Sequence, residues 1–434
     1  MKKRGFVLSA TAALTSAIAL VGIQLASPGW AGFRSHPKEV VDEVWQTVNR
    51  EFVDATFNKV DWEAERLKLL NKDYATAEDA YTAIRESLKL LGDPYTRFMD
   101  PEQYASMQID TSGELTGVGL TLGMDEEKNQ LIVISPIEDS PAARLGVKSK
   151  DVITAIDGKT TQGMDVNTAV GLIRGPVGTT VTLSVERGTE KLSFAIRREK
   201  IELATVRSEL QEVGGQRIGY IRLTQFSANA AEKMQQAIQT LEGEKVDGYI
   251  LDLRSNPGGL LHSSAEIARM WLDQGSIVST INRQGEQDRL RADHHALTTQ
   301  PLVVLVDGAS ASASEILSGA LQDNRRATIV GTKTFGKGLV QSVHALSDGS
   351  GLAVTIARYR TPNGTDIHEK GIMPDIVVEL TEEDIKRLTE DRDLVATPGD
   401  PQYAAALRAL QNQIVAKRGT SAQNPPAQSL TTQQ

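Results

Sequence analysis

The chain has 434 residues, a formal net charge of -9 and no cysteine. That length exceeds what one hydrophobic core usually holds, so two or three domains are expected. The acidic balance, with no block of Lys and Arg, argues against nucleic-acid binding, and the lack of thiols excludes disulfides, zinc–thiolate sites, iron–sulfur clusters and a cysteine nucleophile.

Residues 1–31 read as a targeting segment. "MKKR" is basic, "GFVLSATAALTSAIALVGIQLA" is apolar, and Gly29 and Ala31 are small residues at the −3 and −1 positions of a signal-peptidase cut before Gly32. An uncleaved membrane anchor is the alternative, and in either case the bulk of the chain is expected to be exported.

Residues 32–104 read as a helical segment. Val40, Val41, Val44, Trp45, Val48 and Phe52 fall on one helical stripe, and Tyr81, Ile84, Leu88 and Leu91 repeat the spacing after "TAED". Packing helices are expected, with a homodimer contact through them as a lesser alternative. The prolines of "GDPYTRFMDPEQY" (92–104) then mark a boundary.

Residues 105–197 show short strand-like runs broken by glycine, with one short helical pattern at "NTAVGLIRG". This order, with "GVGL" followed by "SPAARLGVKSKDVITAIDGK", resembles a PDZ domain. By that resemblance Gly117, Val118, Gly119 and Leu120 form a loop whose N–H groups converge on a peptide C-terminal carboxylate, and a strand edge pairs with the peptide backbone. Arg174, at the end of the module's helix, is a candidate regulatory residue able to reach a catalytic face. A solvated helix-end arginine is the plainer reading.

Residues 198–385 alternate strand and helix, from "RIGYIRL" through "NAAEKMQQAIQTLE", "VDGYILDL", "SSAEIARMWL", "QPLVVLV" and "SASEILSGALQ" to "ATIVG". The series implies a largely parallel sheet wrapped by helices, whose sites lie at the strand C-terminal ends. Two loops occupy such ends, "RSNPGGLL" and "DGASASASEI". The second carries Ser310, Ser312 and Ser314 at a strand-to-helix turn, where free N–H groups stabilise an anion, although an N-cap is serine's commonest use there.

A serine nucleophile needs a base. Of His36, His262, His294, His295, His344 and His368, only His262 lies near a site loop. Lys337 is the other candidate, in "GTKTFGKGLVQSV". Gly331, Gly336 and Lys337 imitate a phosphate-binding loop, but Gly338 replaces the magnesium-binding Ser/Thr and the following residues alternate like a strand. A lysine between glycines, buried among apolar groups, loses basicity and can work as a neutral base. Strand alternation places Gln341 on its side of the strand, within reach of the amine.

Together, "GDPYTRFMDPEQY", the PDZ-like module, "DLRSNPGGLL", "SASASEILSGALQDN" and "TFGKGLVQSV" resemble the carboxyl-terminal processing proteases, tail-specific serine endopeptidases with an inserted PDZ domain. The resemblance implies an α/β mixed-sheet protease core of the ClpP/crotonase-like kind, with N-terminal helices and no metal or organic cofactor. It implies Ser312 as nucleophile, Lys337 as base and Gln341 as its orienter, with an oxyanion hole at the N–H groups of Gly258 and Ala313. It also matches Asp323 to an acid of the charge relay, although eleven residues along a helix is roughly 16 Å of rise and favours a structural role. The implied substrates are proteins with free C-termini, in a periplasm or thylakoid lumen. A non-catalytic PDZ scaffold and a crotonase-like acyl-CoA enzyme are the alternatives. Residues 386–434 are expected to be a charged helix and a disordered polar tail.

Overall fold

The computed structural model describes residues 36–125 and 128–423. The targeting segment expected at 1–31 lies outside the described residues, as does the end of the tail at 424–434. No helix among the described residues is long and apolar enough to cross a membrane. These residues form two compact units, one built from the chain up to Met107 and from Thr205 onward, the other from Gln108–Ala204.

The first unit is organised by a six-stranded sheet in the order Val206–Val213, Gln216–Leu223, Gly248–Asp252, Leu302–Val306, Thr328–Gly331, Ile376–Val377. The first pair is antiparallel and the rest are parallel. Strand Leu302–Val306 shows why the central runs are apolar throughout. Leu302, Val304 and Val306 pack with helices Ala230–Gly243, Leu261–Trp271 and Ala313–Asp323 on one face, while Val303 and Leu305 pack on the other with Tyr403, Ala406, Leu407, Leu410 and Ile414. Both faces of a parallel sheet are covered, so alternation between apolar and polar residues disappears.

That second layer is the helix Pro401–Gln423, which sequence periodicity did not reveal. Its apolar side is written in Ala, Tyr and Leu among polar residues, and it continues through the first eight residues of "AKRGTSAQ" in the stretch read as a tail.

A five-stranded sheet stands beside the first. Its long strand Gly351–Arg360 pairs along one edge with Leu339–Ala345 and along the other with Arg97–Met99 and Ser276–Asn282, all antiparallel. Helices Pro37–Glu51, Trp62–Asn71 and Ala77–Lys89 cover one face, and the stripe from Val40 to Phe52 packs with Phe98, Leu352 and Val354. A homodimer contact there would have to use other residues.

The second unit has a mainly antiparallel sheet, Leu120–Asp125, Gln130–Pro136, Val152–Ile156, Thr180–Arg187 and Glu190–Arg197, around a core that includes Val133, Ile153, Leu183 and Ile196. Strands Glu114–Gly117 and Glu199–Glu202 pair with each other where the unit enters and leaves, so it extends past residue 197.

Leu410 is fully buried against the parallel sheet. Leu410→Ala is therefore expected to lower stability by about 3 kcal/mol, read as a fall in the denaturation midpoint at unchanged m-value.

Candidate active site

Strands Gly248–Asp252 and Leu302–Val306 are parallel neighbours, so the loops that follow them emerge side by side. Ser255 N–H and Oγ donate to the Asp307 carboxylate, and the Asn256 carbonyl accepts from Ala311 N–H at 3.1 Å and Ser314 Oγ at 2.9 Å. The glycine loop and the serine loop are thus one hydrogen-bonded body.

The three serines differ within it. Ser310 Oγ donates to the Leu253 carbonyl at 2.8 Å, and Ser314 Oγ is held by Asn256, so both serve structure. Ser312 Oγ is buried with no hydrogen-bond partner. Its backbone, at φ 55° and ψ −112°, is left-handed at the N-cap of helix Ala313–Asp323. Such a strained turn in a residue with a Cβ persists only where the surroundings over-determine it, and it marks functional positions.

Lys337 is 1% exposed and its Nζ also lacks a hydrogen-bond partner. The amine lies 4.8 Å from the centre of the Tyr95 ring. Burial, and then the Arg97 charge, lower its pKa to about 7 against the opposing pull of Asp93 and Glu315. Gln341 is equally buried; its Nε2 donates to Thr355 Oγ1 at 3.2 Å, while its Oε1 has no partner. The bond from Gln341 to the lysine amine, expected from strand alternation, is therefore not formed in this structure.

Two buried residues that sequence reasoning did not single out fix the Ser312 and Lys337 loops together. Glu315 Oε2 accepts from the N–H groups of both Ser312 and Lys337 at 2.8 Å, while its Oε1 accepts from Gly336 N–H and Thr334 Oγ1. Burial raises the Glu315 pKa and those donors oppose the rise. Tyr359 Oη donates to the carbonyls of Ser312 and Lys337. The spacing Ser312-x-x-Glu315 matches a capping box, and that was the available signal for Glu315. Tyr359 left none.

A third set steadies the glycine loop. Asp252 pairs with Arg254 at 2.8 Å and accepts from Tyr220 Oη at 2.7 Å, and Arg254 reaches Asp400 at 2.7 Å. Burial pushes the Asp252 carboxyl up, and the charge and hydrogen bonds of Arg254, the Arg222 charge and the Tyr220 hydroxyl together hold it below the usual carboxylate range.

The oxyanion-hole expectation meets a departure. Ala313 opens its helix, where N–H groups have no intrahelical acceptor. Gly258, at φ 105°, passes so close that a Cβ there would lie 2.9 Å from Ala313 N and from Ser312 Cβ. Its N–H, however, donates to Asn256 Oδ1 at 2.9 Å and is already satisfied.

Asp323 ends the same helix and accepts from Asn363 N–H at 2.9 Å, so the structure does not bring it to Ser312. His262 is exposed and pairs with Glu266 at 2.9 Å. His368 lies closer to the lysine, its ring edge-on to Tyr95.

In the second unit, Gly117 ends one strand and Leu120 begins the next. Val118 is buried and its carbonyl accepts from Ala142 N–H, while Gly119, at φ 78°, accepts from Ile137 N–H and Ser140 Oγ. The strand from Leu120 is a sheet edge, with helix Val166–Ile173 packed beside it. Arg174 caps that helix and is exposed.

The chain matches peptidase family S41 over residues 217–378 and a PDZ domain over 132–187. It is 48% identical over 366 residues to a carboxyl-terminal-processing protease of Synechocystis sp., covering 84% of each chain. It is 43% identical to the chloroplastic carboxyl-terminal-processing peptidase 2 of Arabidopsis thaliana, over 77% of this chain and 67% of that one. A solved photosystem II D1 C-terminal processing protease superposes with a TM-score of 0.53 at 34% identity, covering 85% of this chain and all of its own. Fold and relatives define a class, a mixed α/β serine peptidase that carries a PDZ domain. Within it, the chain belongs to the carboxyl-terminal-processing proteases of family S41.

Glu315→Gln puts an amide N–H₂ among groups that are themselves donors, so at least one of the four contacts must break. Peptidase activity is expected to fall at least a hundredfold, with stability lowered by about 2 kcal/mol, measured by peptide cleavage and chemical denaturation on the same samples.

Proposed function

We propose that this protein is an exported endopeptidase that holds the free C-terminus of a protein substrate in its PDZ groove and cleaves the chain upstream of it by a Ser312–Lys337 mechanism. The observation that carries the reading is that Ser312 Oγ, Lys337 Nζ and Gln341 Oε1 are all buried without hydrogen-bond partners. Buried polar atoms are nearly always satisfied, and an unpaired buried amine is costly enough that a purely peptide-binding scaffold would gain nothing by keeping it.

In this reading the neutral Lys337 amine takes the proton of Ser312 Oγ as the oxygen attacks the peptide carbonyl. The developing oxyanion meets the N–H groups of Ala313 and, once it is released from Asn256, Gly258. The lysine then protonates the leaving amine, and water resolves the acyl-enzyme by the same route in reverse order. Gln341 Oε1 is the acceptor that steadies the lysine when it is charged. Asp323 stands apart from this set and anchors the chain at Asn363. The glycine loop after one parallel strand and the helix opening after the next support the ClpP/crotonase-like assignment of the core.

Substrate capture uses the other unit. The loop Gly117–Leu120 supplies N–H groups to the carboxylate, and the open edge of the strand from Leu120 pairs with the peptide. The name of the solved relative makes the C-terminus of a photosystem II D1 precursor the first substrate to try. The basic-then-apolar segment at 1–31 supports export, to a periplasm or thylakoid lumen.

Ser312→Ala and Lys337→Ala should each abolish cleavage of a C-terminal peptide, with the double variant no worse than either, since the pair acts as one unit. Because the base must be uncharged, kcat/KM should climb with pH and reach half its plateau near pH 7. His262→Ala should leave that limb in place; a limb that vanishes with His262 would overturn the lysine assignment.

Deleting the second unit, residues 108–204, behind a short linker should lower kcat as well as raise KM if a bound C-terminus helps assemble the site, and should raise KM alone if the module is only a tether. Arg174→Ala separates a regulatory arginine, which lowers kcat at unchanged peptide affinity, from a solvated one, which changes neither.

A further inference from the structure

Arg97 is the remaining charge in the site with no assigned role. It lies on strand Arg97–Met99, opposite Ala353, which in turn is opposite Val343. Gln341 is paired with Thr355, two residues from Ala353 on the same strand. Cross-strand partners share a sheet face, and so do residues two apart, so Arg97 projects from the face that carries Gln341. Phe98, between Arg97 and Met99, packs into the opposite layer with the N-terminal helices.

The segment before Arg97 closes around the base. Tyr95 presents its ring to Lys337 Nζ, and Thr96 Oγ1 both donates to Asp93 and accepts from Thr355 N–H. Thr355 is the residue that holds Gln341. Arg97 itself has a buried Nε without a hydrogen-bond partner, and no ion pair joins its guanidinium to a carboxylate among the described residues. A half-buried arginine is ordinarily paired or bound to carbonyls. Leaving it free retains its full charge beside an amine that must shed a proton.

We propose that Arg97 is a positioning residue of the reaction: an unpaired cation on the sheet face of Gln341 that repels the proton from Lys337 and so sets the pH at which the base works. This rests on the Ser312–Lys337 reading. The groups facing the amine are few. Asp93, from the turn before the strand, and Glu315, from the nucleophile helix, attract its proton, and Arg97 alone opposes them. Tyr95 contributes a neutral ring, with His368 edge-on behind it. The guanidinium stays charged throughout the working range, since arginine does not deprotonate there.

The sign of the effect is fixed by this arrangement. Replacing the cation with a neutral side chain leaves Asp93 and Glu315 unopposed, so the amine holds its proton to higher pH. The rising limb of kcat/KM should move up by about one pH unit in Arg97→Gln, a roughly tenfold loss at pH values on the limb, and rejoin the wild-type plateau at alkaline pH. Arg97→Lys keeps the charge and should keep the limb. Arg97→Met, which fills the stem's volume without polarity, should reproduce the glutamine result if that variant folds poorly, with thermal unfolding of each variant as the control.

The experiment is kcat/KM for one C-terminal peptide from pH 5.5 to 10 in the wild type and these three variants. A limb displaced in the neutral variants and retained in Arg97→Lys supports the proposal. A lowered plateau with an unmoved limb assigns Arg97 to structure alone and overturns it. A wild-type limb that is absent, or that depends on His262, defeats the Ser312–Lys337 reading instead, and the two failures are thereby told apart.

Discussion

The site depends on one carboxylate. Glu315 Oε2 accepts from the N–H groups of Ser312 and Lys337, residues on loops that follow neighbouring strands of the parallel sheet, and Tyr359 Oη donates to their two carbonyls. Main-chain polar groups away from water need partners, and here the partners are shared. Satisfying the backbone of Ser312 is the same event as fixing the backbone of Lys337. The side chains can then remain unbonded, because their positions are set from behind.

That arrangement explains why the core needs two sheets. The parallel sheet delivers the glycine loop and the Ser312 turn at adjacent strand ends, which is where such sheets place their chemistry. The Lys337 loop leaves strand Thr328–Gly331 of that sheet and runs directly into strand Leu339–Ala345 of the antiparallel one. The antiparallel sheet supplies the missing wall, with Gln341, Thr355, Ala353 and Arg97 sharing one face and the N-terminal helices sealing the other. In the proposed mechanism those helices act on the chemistry at one remove, by packing against the strand that carries Arg97.

Much of this was legible in sequence, and the parts that were not share a cause. The βαβ series, the PDZ-like order and the two site loops announce themselves through local pattern, and the S41 and PDZ matches agree with them. Within "SASASE" the even spacing of the serines could not separate the three, since their difference lies in partners: Leu253 for Ser310, Asn256 for Ser314, none for Ser312. Tyr359, Arg254 with Asp400, and the helix from Pro401 were invisible for the same reason. Each acts on residues tens to more than a hundred positions away, and none carries a local rhythm. Asp323 shows the converse: its place in a motif was clear, and only the length of the helix showed how far it stands from the serine.

Gly258 carries the last constraint. An N–H enclosed between two loops cannot be left unpaired at rest without a penalty of about 1–3 kcal/mol, and Asn256 removes that penalty by accepting through its side-chain oxygen from the N–H two residues on. The same Asn256 donates through Nδ2 to the Leu223 carbonyl, at the end of the neighbouring strand, and accepts at its carbonyl from the serine loop. Its side chain thus ties the Gly258 N–H to the end of strand Gln216–Leu223, while its backbone holds the serine loop. In the proposed mechanism an acyl oxygen arriving at Gly258 replaces Asn256 Oδ1 as acceptor, exchanging one hydrogen bond for another instead of making a new one. The gain comes only when the oxygen becomes an oxyanion and a better acceptor than an amide. An amide satisfied at rest in this way discriminates against the ground-state carbonyl and in favour of the transition state, which is the difference that accelerates a reaction.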